Sequence, residues 1–291
     1  MRRELVAALT SQLIKDMPPL PAAAWRAIKR QPEEELAGFA RASLSEKDAA
    51  NVAERLEREE EYSETLFSLG ESGISFLTEF SMEYPSTWLD KLGDRAPSHL
   101  FVAGNVGLLR MASLGVVGSR DVDEAGSAFT QAVAEEAVRS GLSVISGGAR
   151  GVDEIAMRAA FEAGGSAVGI LAESLTKSLR KWDLDSERVC LATPFAPDIG
   201  FQVSNAMSRN KLIYAGSEAT VIVSSSLDTG GTWAGATEAL KQSLCPLLVR
   251  SGDGVPDGNK ALIGKGGFSF AEPGDLMRVL MEAQPVQGSM F

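Results

Sequence analysis

Four short segments of the sequence, each near the start of a predicted helix, are rich in glycines, hydroxyl groups or cations. They are VVGSRDVDEAG from Val116, ISGGARGVDE from Ile145, SNAMSRNKL from Ser204 and SSSLDTGGTWAGATE from Ser224. Glycine lets a ligand approach the backbone, a helix N-terminus presents N–H groups to an anion, and arginine donates a fork of hydrogen bonds that fits phosphate. The segments therefore predict an anion site, which a dinucleotide, a free nucleotide or a nucleic-acid backbone could occupy.

The first three segments supply the candidate binding residues. These are Gly118, Ser119, Arg120, Ser146, Gly147, Gly148, Arg150, Gly151, Asp153, Arg209, Asn210 and Lys211. Asp153 has two interpretations, because it could orient Arg150 or bind a sugar or base, and it could equally complement a helix dipole. In the fourth segment, Trp233 could stack on a base or pack against its own loop.

The familiar catalytic and cofactor patterns are missing from the sequence. No G-x-G-x-x-G spacing, P-loop, H-E-x-x-H or G-x-S-x-G occurs, and Gly264-Lys265 lacks the glycine spacing of a P-loop. The single histidine, His99, precedes an apolar run without a nucleophile nearby, and Cys190 and Cys245 lack further metal ligands. We therefore expect no catalytic residue, no cofactor and no metal.

The chain carries a net charge of -11 over 291 residues. That charge argues against coating nucleic acid through a broadly basic surface, so an anion site must be local. No apolar run approaches the roughly 18 residues of a membrane span, and the N-terminal run has no small-residue cleavage site. The sequence thus predicts a cytoplasmic protein without membrane contact.

The elements that must position these residues alternate between apolar runs and helical patterns. The predicted strands are Leu100 to Ala103, Leu114 to Val117, Ser143 to Ser146, Ala167 to Leu171, Val189 to Ala192, Thr220 to Val223 and Pro246 to Val249. The predicted helices between them are Asp123 to Ser140, Val152 to Ala163, Asn205 to Ala215 and Thr232 to Gln242. Strands without polar alternation, separated by helices, predict an α/β fold with a doubly wound, mostly parallel, Rossmann-like sheet.

The segments before and after these alternating strands and helices show different residue patterns. Residues 1–72 predict a small helical module, with helices from Leu5, over Ala22 to Lys29, and one long charged helix that follows Ser45. Residues 73–291 form the predicted α/β domain. After Gly252 we expect a glycine and proline loop, a short strand at GGFSF, and a last helix over Asp275 to Ala283.

The four segments, in this order, resemble the DprA (Smf) family of DNA-processing proteins. The resemblance is carried by GSR at Gly118, by SGGARG with Asp153, and by RNKLI at Arg209. Further similar stretches are Tyr84-Pro85, LFVAGN from Leu100, and NKALIGKGGFSFAEPGDL toward the end, so the likeness covers roughly Gly73 to Leu280. In place of the family's common phenylalanine, proline and arginine, this chain has Ala206, Met207 and Ser208.

The resemblance implies an extended Rossmann-like fold that binds single-stranded DNA, forms a homodimer, and loads the recombinase RecA in natural transformation without catalysis. Carried over by position, Arg120, Arg150, Arg209 and Lys211 would contact DNA phosphates. Competence, recombination and a cytoplasmic location are part of the same expectation.

Two other hypotheses remain open from the sequence. A nucleotide-binding enzyme or sensor is one, because the fourth segment looks loosely like the LOG nucleoside-monophosphate phosphoribohydrolases. The residues of that alternative site are Gly230, Gly231, Thr232, Gly235 and Glu238. There, Glu238 and Arg120 would act on an N-glycosidic bond. The other hypothesis is a protein that recruits a partner through its N-terminal module and whose anion pocket has lost its ligand-binding function.

Overall fold

The computed structural model describes residues 13, 17, 20–31, 35–182, 184 and 187–283. The described α-helices are α1 (Ala22–Ile28), α2 (Leu36–Ser43), α3 (Glu46–Glu57), α4 (Glu59–Glu71), α5 (Ser86–Leu92), α6 (Glu124–Arg139), α7 (Val152–Glu162), α8 (Leu175–Ser178), α9 (Val203–Ala215), α10 (Gly230–Gln242), α11 (Asp257–Gly264) and α12 (Leu276–Ala283). The strands are β1 (Ile74–Thr78), β2 (His99–Gly104), β3 (Ser113–Val117), β4 (Ser143–Ser146), β5 (Ala167–Ile170), β6 (Val189–Thr193), β7 (Ala219–Ile222), β8 (Leu247–Arg250) and β9 (Phe268–Phe270).

One sheet contains all nine of these strands. Their order is β1-β2-β6-β5-β4-β3-β7-β8-β9, and the seven strands from β6 to β9 in that order are parallel. β2 pairs antiparallel with both β1 and β6. The predicted mostly parallel α/β fold is confirmed.

Helices cover both faces of the sheet, as the apolar strands require. On one face, Leu114 and Val144 pack with Val133 of α6 and Ala156 of α7. On the other face, a second cluster joins the strands to α5, α9, α10 and α11. The sheet is therefore buried on both sides, which explains why its strands show no alternation of polar and apolar residues.

The chain winds in opposite directions from the centre of the sheet. β4, β5 and β6 are added on one side of β3, whereas β7, β8 and β9 are added on its other side. In an open parallel sheet such a reversal leaves a crevice beyond the carboxyl ends of the strands, where ligands bind. The reversal falls between β3 and β7, so the loops after these strands face the crevice.

Most strands and helices predicted between residues 99 and 250 match the structure to within one or two residues. Two predictions at the ends are corrected, and a third is not tested. The long charged helix is two helices that meet at Arg58. The glycine and proline loop after Gly252 contains helix α11, because Gly258 allows this helix to pack against the backbone of Ser225. The helix predicted from Leu5 lies almost wholly outside the described residues.

The N-terminal helices contact the antiparallel edge of the sheet. Trp25 Nε1 donates a hydrogen bond to Glu79 Oε1 at 3.0 Å, and Lys29 Nζ donates to Glu79 Oε2 at 2.9 Å. Phe76 of β1 also packs against the apolar cluster of these helices. The boundary predicted at residues 72 and 73 falls between α4 and β1, and the division into two domains stays a prediction.

His99 lies at the start of β2, among aromatic rings. Its ring centroid is 5.5 Å from that of Phe76 and 5.5 Å from that of Phe101. Burial lowers the pKa of His99 to about 4, whereas an unfolded histidine titrates near about 6.5. Because the folded pKa is depressed, the stability that depends on neutral His99 is present above pH ~6.5 and is lost as the pH falls through about 4.

We therefore expect the free energy of unfolding to decrease between these two pH values, and to decrease less in a His99→Gln variant. Urea denaturation at a series of pH values measures this difference. The chain contains one histidine, so parallel profiles for the two proteins would contradict the assignment.

Among the described residues, we find no helix with the length and apolar character needed to cross a bilayer.

Candidate phosphate-binding clefts

The main cleft has a volume of about 630 Å³ and opens at the reversal between β3 and β7. Its walls come from the loop after β3, the first half of α9, the loop after β7 and the start of α10. The lining residues that were candidates from the sequence are Gly118, Ser119, Arg120, Asp153, Arg209, Asn210, Gly230, Gly231, Thr232 and Trp233. The fold thus brings residues of all four segments to one crevice.

A smaller cleft of about 310 Å³ has Arg120 and Arg209 in common with the main cleft. Gly147, Gly148 and Arg150 complete the candidate residues in its lining. Three of the four cations predicted to contact phosphate therefore meet in this cleft.

Arg209 is the buried member of this group, with 4% of the residue exposed. Its Nη2 donates a hydrogen bond to the Gly147 carbonyl at 3.1 Å, and its Nη1 lies 4.0 Å from Asp153 Oδ2. Its buried Nε has no hydrogen-bond partner in the part of the chain that the structure describes. A buried donor without a partner is costly, so a phosphate oxygen within hydrogen-bond distance of this Nε would stabilise the site.

Gly147 explains how an arginine fits at this position. A Cβ atom added to Gly147 would overlap the guanidinium group of Arg209. The glycine therefore leaves room for the guanidinium to lie against the backbone of the loop after β4.

Gly151 joins this loop to the loop after β3. Its φ angle is +87°, and an added Cβ would lie 2.5 Å from the Ser119 carbonyl oxygen. The Val152 N–H donates to that same oxygen at 3.2 Å. Only glycine suits both the backbone conformation and this close approach.

Asp153 is buried beside Arg209. Burial raises the pKa of the Asp153 carboxyl, and Arg209, the Ala149 backbone and the Ser146 hydroxyl oppose that rise. Burial likewise lowers the pKa of Arg209, and Asp153 opposes this effect. A guanidinium keeps its proton in proteins, so Arg209 is a permanent buried cation that Asp153 only partly compensates. Asp153 is therefore in contact with Arg209, and Arg150 has a different partner.

Arg150 lies at the surface and pairs with Asp121. Its Nη2 is 2.5 Å from Asp121 Oδ1, and the two side chains are 73% and 86% exposed. Such an exposed pair contributes little stability, so the guanidinium is available to exchange Asp121 for a phosphate.

Lys211 lies away from Arg209 although only two positions separate them. Two residues correspond to a rotation of about 200° around a helix, and Lys211 is not among the residues that line the two clefts. Burial lowers the pKa of Lys211, and the charge of Glu238 opposes this effect. The phosphate contact predicted for Lys211 stays a prediction.

Helix α10 points its N-terminus into the main cleft. Asn210 Nδ2 donates to the Gly231 carbonyl at 3.2 Å and fixes that end of the helix. The side chain of the N-cap residue Thr229 makes no capping hydrogen bond among the described residues, and the first turn contains no acidic residue. The N–H groups of its first turn therefore favour an anion.

Glu238, the candidate acid of the alternative enzyme site, lies further along α10. It is exposed, accepts a hydrogen bond from Gln242 Nε2 at 2.9 Å, and is not among the residues lining the main cleft. Glu238 and Arg120 are thus not brought together as hydrolysis of an N-glycosidic bond requires.

Lys181 and Phe201 are among the cleft residues that were not anticipated from the sequence. Lys181, in the short 3₁₀-helix Leu179–Lys181, lines the smaller cleft and lies 3.8 Å from Glu173. Phe201 lines both clefts from the loop before α9. The basic run that ends at Lys181 follows β5, a neighbour of β4 in the sheet, and this was a usable signal for Lys181.

A sequence profile of the DNA recombination-mediator protein A family matches residues 75–280. The chain belongs to this family. The match starts in β1 and ends in α12, so it contains every strand of the sheet and all four candidate segments. The DprA (Smf) membership predicted from the sequence is confirmed.

Two characterised relatives of the family are similar in sequence. The DNA processing protein DprA of Bacillus subtilis is 28% identical over 178 residues, which are 59% of this chain and 59% of the relative. Protein Smf of Escherichia coli is 28% identical over 192 residues, which are 63% of this chain and 51% of the relative. The chain thus spans little more than half the length of these two relatives.

Solved structures of two family members show the same fold. DprA of Streptococcus pneumoniae superposes with a TM-score of 0.73 at 20% identity, over 95% of each chain. DNA processing protein A of Helicobacter pylori superposes with a TM-score of 0.60 at 23% identity, over 72% of this chain and 96% of that one. The latter structure was described for its single-stranded DNA binding mode.

Proposed function

We propose that this protein binds single-stranded DNA by capturing backbone phosphates in the two clefts. Arg209 binds one phosphate at the junction of the clefts. The observation that supports the proposal is that this buried cation is incompletely paired, because its Nε has no partner among the described residues. Arg120 and Arg150 bind phosphates at the rim, and the N–H groups at the start of α10 donate further hydrogen bonds in the main cleft.

The remaining candidate residues hold these groups in position. Gly147, Gly148 and Gly151 let the loops approach one another, and Ser146 and Asp153 orient the floor of the cleft. Gly118, Ser119 and Asn210 support the rim. Lys211 binds a phosphate where the DNA strand extends beyond the clefts along α9.

The wider role that we propose is DNA processing in recombination. The description of the family as recombination-mediator proteins and the DNA binding described for the Helicobacter pylori member support this proposal. A cytoplasmic homodimer that hands single-stranded DNA to the recombinase RecA in natural transformation is the most specific form of it. We propose no catalytic step.

The test is binding of a fluorescent oligothymidine to the full chain, followed by anisotropy at several salt concentrations. If three arginines neutralise three phosphates, the affinity should fall with salt with a log–log slope of about -2. A duplex of equal length should bind more weakly. No detectable binding at low salt would overturn the proposal.

The same preparation can be incubated with AMP, and free adenine followed by chromatography. We expect AMP to remain intact, because Glu238 lies away from the main cleft. Release of adenine together with no binding of oligothymidine would favour the nucleotide-hydrolysing alternative instead.

A further inference from the structure

Phe201 is an exposed aromatic residue at the junction of the two clefts. It lies in the loop between β6 and α9 and is 46% exposed, although it is large and apolar. It lines the main cleft and the smaller cleft, as Arg120 and Arg209 also do. An exposed phenylalanine is thus next to the cations that the proposed function uses for phosphate.

Arg120 holds the Phe201 ring in place. The Arg120 Cζ atom lies 4.6 Å from the centre of the ring, in a cation–π contact. This contact covers part of the ring and leaves nearly half of the residue accessible. The contact favours this orientation of the ring before a ligand binds, which lowers the entropy cost of binding.

The surroundings of Phe201 form an apolar wall of the main cleft. Val203 is 66% exposed and Met207 is 50% exposed, and both line the same cleft. Single exposed apolar residues are common on proteins, but these three line a cleft that Arg209 and the first residues of α10 also line. A ligand with a flat apolar part and a phosphate would contact the apolar side chains and the anion-binding groups at once.

The other aromatic candidates are less suited to this contact. Trp233 lines the main cleft, but it is half-buried and Lys265 Nζ lies 5.8 Å from the centre of its ring. Position 206, in the part of α9 that lines the same cleft, is alanine and offers no ring.

We propose that Phe201 is a base-stacking residue, on which an unpaired nucleobase packs while phosphates of the same strand bind Arg209 and Arg120. The inference rests on the proposed function and adds the ligand class of its apolar wall. Every nucleobase has a π face, so the contact is independent of sequence. In a duplex these faces are occupied by neighbouring base pairs, so the contact selects single strands.

The experiment compares two probes of equal length, an oligothymidine and an abasic oligomer that keeps the phosphates. Phe201→Ala should weaken binding of the oligothymidine about 5- to 150-fold and leave binding of the abasic oligomer unchanged. Phe201→Trp should retain the affinity for oligothymidine. Phe201→Leu, which is apolar but lacks a π face, should lose most of it.

Phe67→Ala is the matched control, because Phe67 is 70% exposed on α4 and is not among the residues that line the clefts. It should bind both probes like the unmodified protein. Equal loss of both probes by Phe201→Ala, no loss of either, or full affinity in Phe201→Leu would overturn the inference.

Two further outcomes distinguish the stacking role of Phe201 from a failure of the proposed function and from a contact with a second copy of the chain. If the unmodified protein binds neither probe, the proposed function itself fails. If Phe201→Ala leaves oligothymidine binding intact but lowers the molar mass measured by light scattering, the apolar wall contacts a second copy of the chain, and the stacking role is wrong.

Discussion

Replacing Arg209 with methionine should weaken oligothymidine binding by about 30- to 150-fold, which corresponds to roughly 2–3 kcal/mol for a hydrogen bond to a charged group. Arg209 lines both clefts, and its Nε has no partner among the described residues. A phosphate that pairs with it is shielded from water, so the loss should exceed that of an exposed cation. Anisotropy titration of the full-length variant measures the effect.

Two further variants make this result interpretable. Arg209→Lys keeps the charge but lacks the forked guanidinium, and we expect it to recover only part of the affinity. Arg55→Met removes another fully buried arginine, which donates a hydrogen bond to the Tyr62 hydroxyl at 2.8 Å in the N-terminal helices. Arg55→Met should lower stability and retain DNA binding. Equal affinities of Arg209→Met and the unmodified protein would contradict the role of Arg209.

Replacing Asp153 with alanine should lower the free energy of unfolding by about 3 kcal/mol, the effect of leaving a buried charge without its partner. Arg209 cannot lose its proton, so it would remain charged in a buried site. Arg209→Met should lower the free energy of unfolding less than Asp153→Ala does, because a buried carboxyl that has lost its partner can bind a proton and become neutral. Urea denaturation of the two variants at neutral pH measures the difference.

Glu154→Ala is the matched control for Asp153→Ala. Glu154 is the next residue of α7, and its side chain is 41% exposed in a pair with Arg158. Its removal should cost about 0.5 kcal/mol or less.

An added anion should distinguish the two variants further. Inorganic phosphate should stabilise Asp153→Ala more than Glu154→Ala, because it restores a negative partner for Arg209. Equal stability of the two variants, or equal stabilisation by phosphate, would contradict the pairing of Arg209 with Asp153.

The central sheet could be predicted from the sequence because its strands are buried on both faces. Runs such as Leu114 to Val117 contain no polar alternation, and each is followed by a helical pattern. The edges were harder to predict. β1 contains Ser75, and its outer neighbours are helices that dock through Glu79, so no local pattern marks it as part of the sheet.

The break between α3 and α4 had no signal in the sequence either. Arg58, where the two helices meet, has no glycine or proline beside it, and its backbone adopts φ -98° and ψ 23°. The change of direction follows from tertiary packing, since Val52 and Tyr62 are buried in the same cluster on either side of the break. Propensity alone favours one continuous helix there.

The candidate site was predicted in outline, and its inner geometry was not. The glycine and arginine segments fall on loops that line the two clefts, because parallel strands carry the loops that follow them at one edge of the sheet. The sequence did not reveal that Arg209 is buried while Arg150 is exposed, since this depends on the space left by Gly147. The sequence gives no sign either that Phe201 reaches the clefts, because the loop before α9 has no regular period.

A crystal structure of the full chain with a short oligothymidine tests the central proposal most directly. We expect a phosphate oxygen about 2.9 Å from Arg209 Nε, with neighbouring phosphates at Arg120 and Arg150. A strand bound only elsewhere on the surface, with Arg209 Nε still unpartnered, would contradict the role of the clefts in DNA binding.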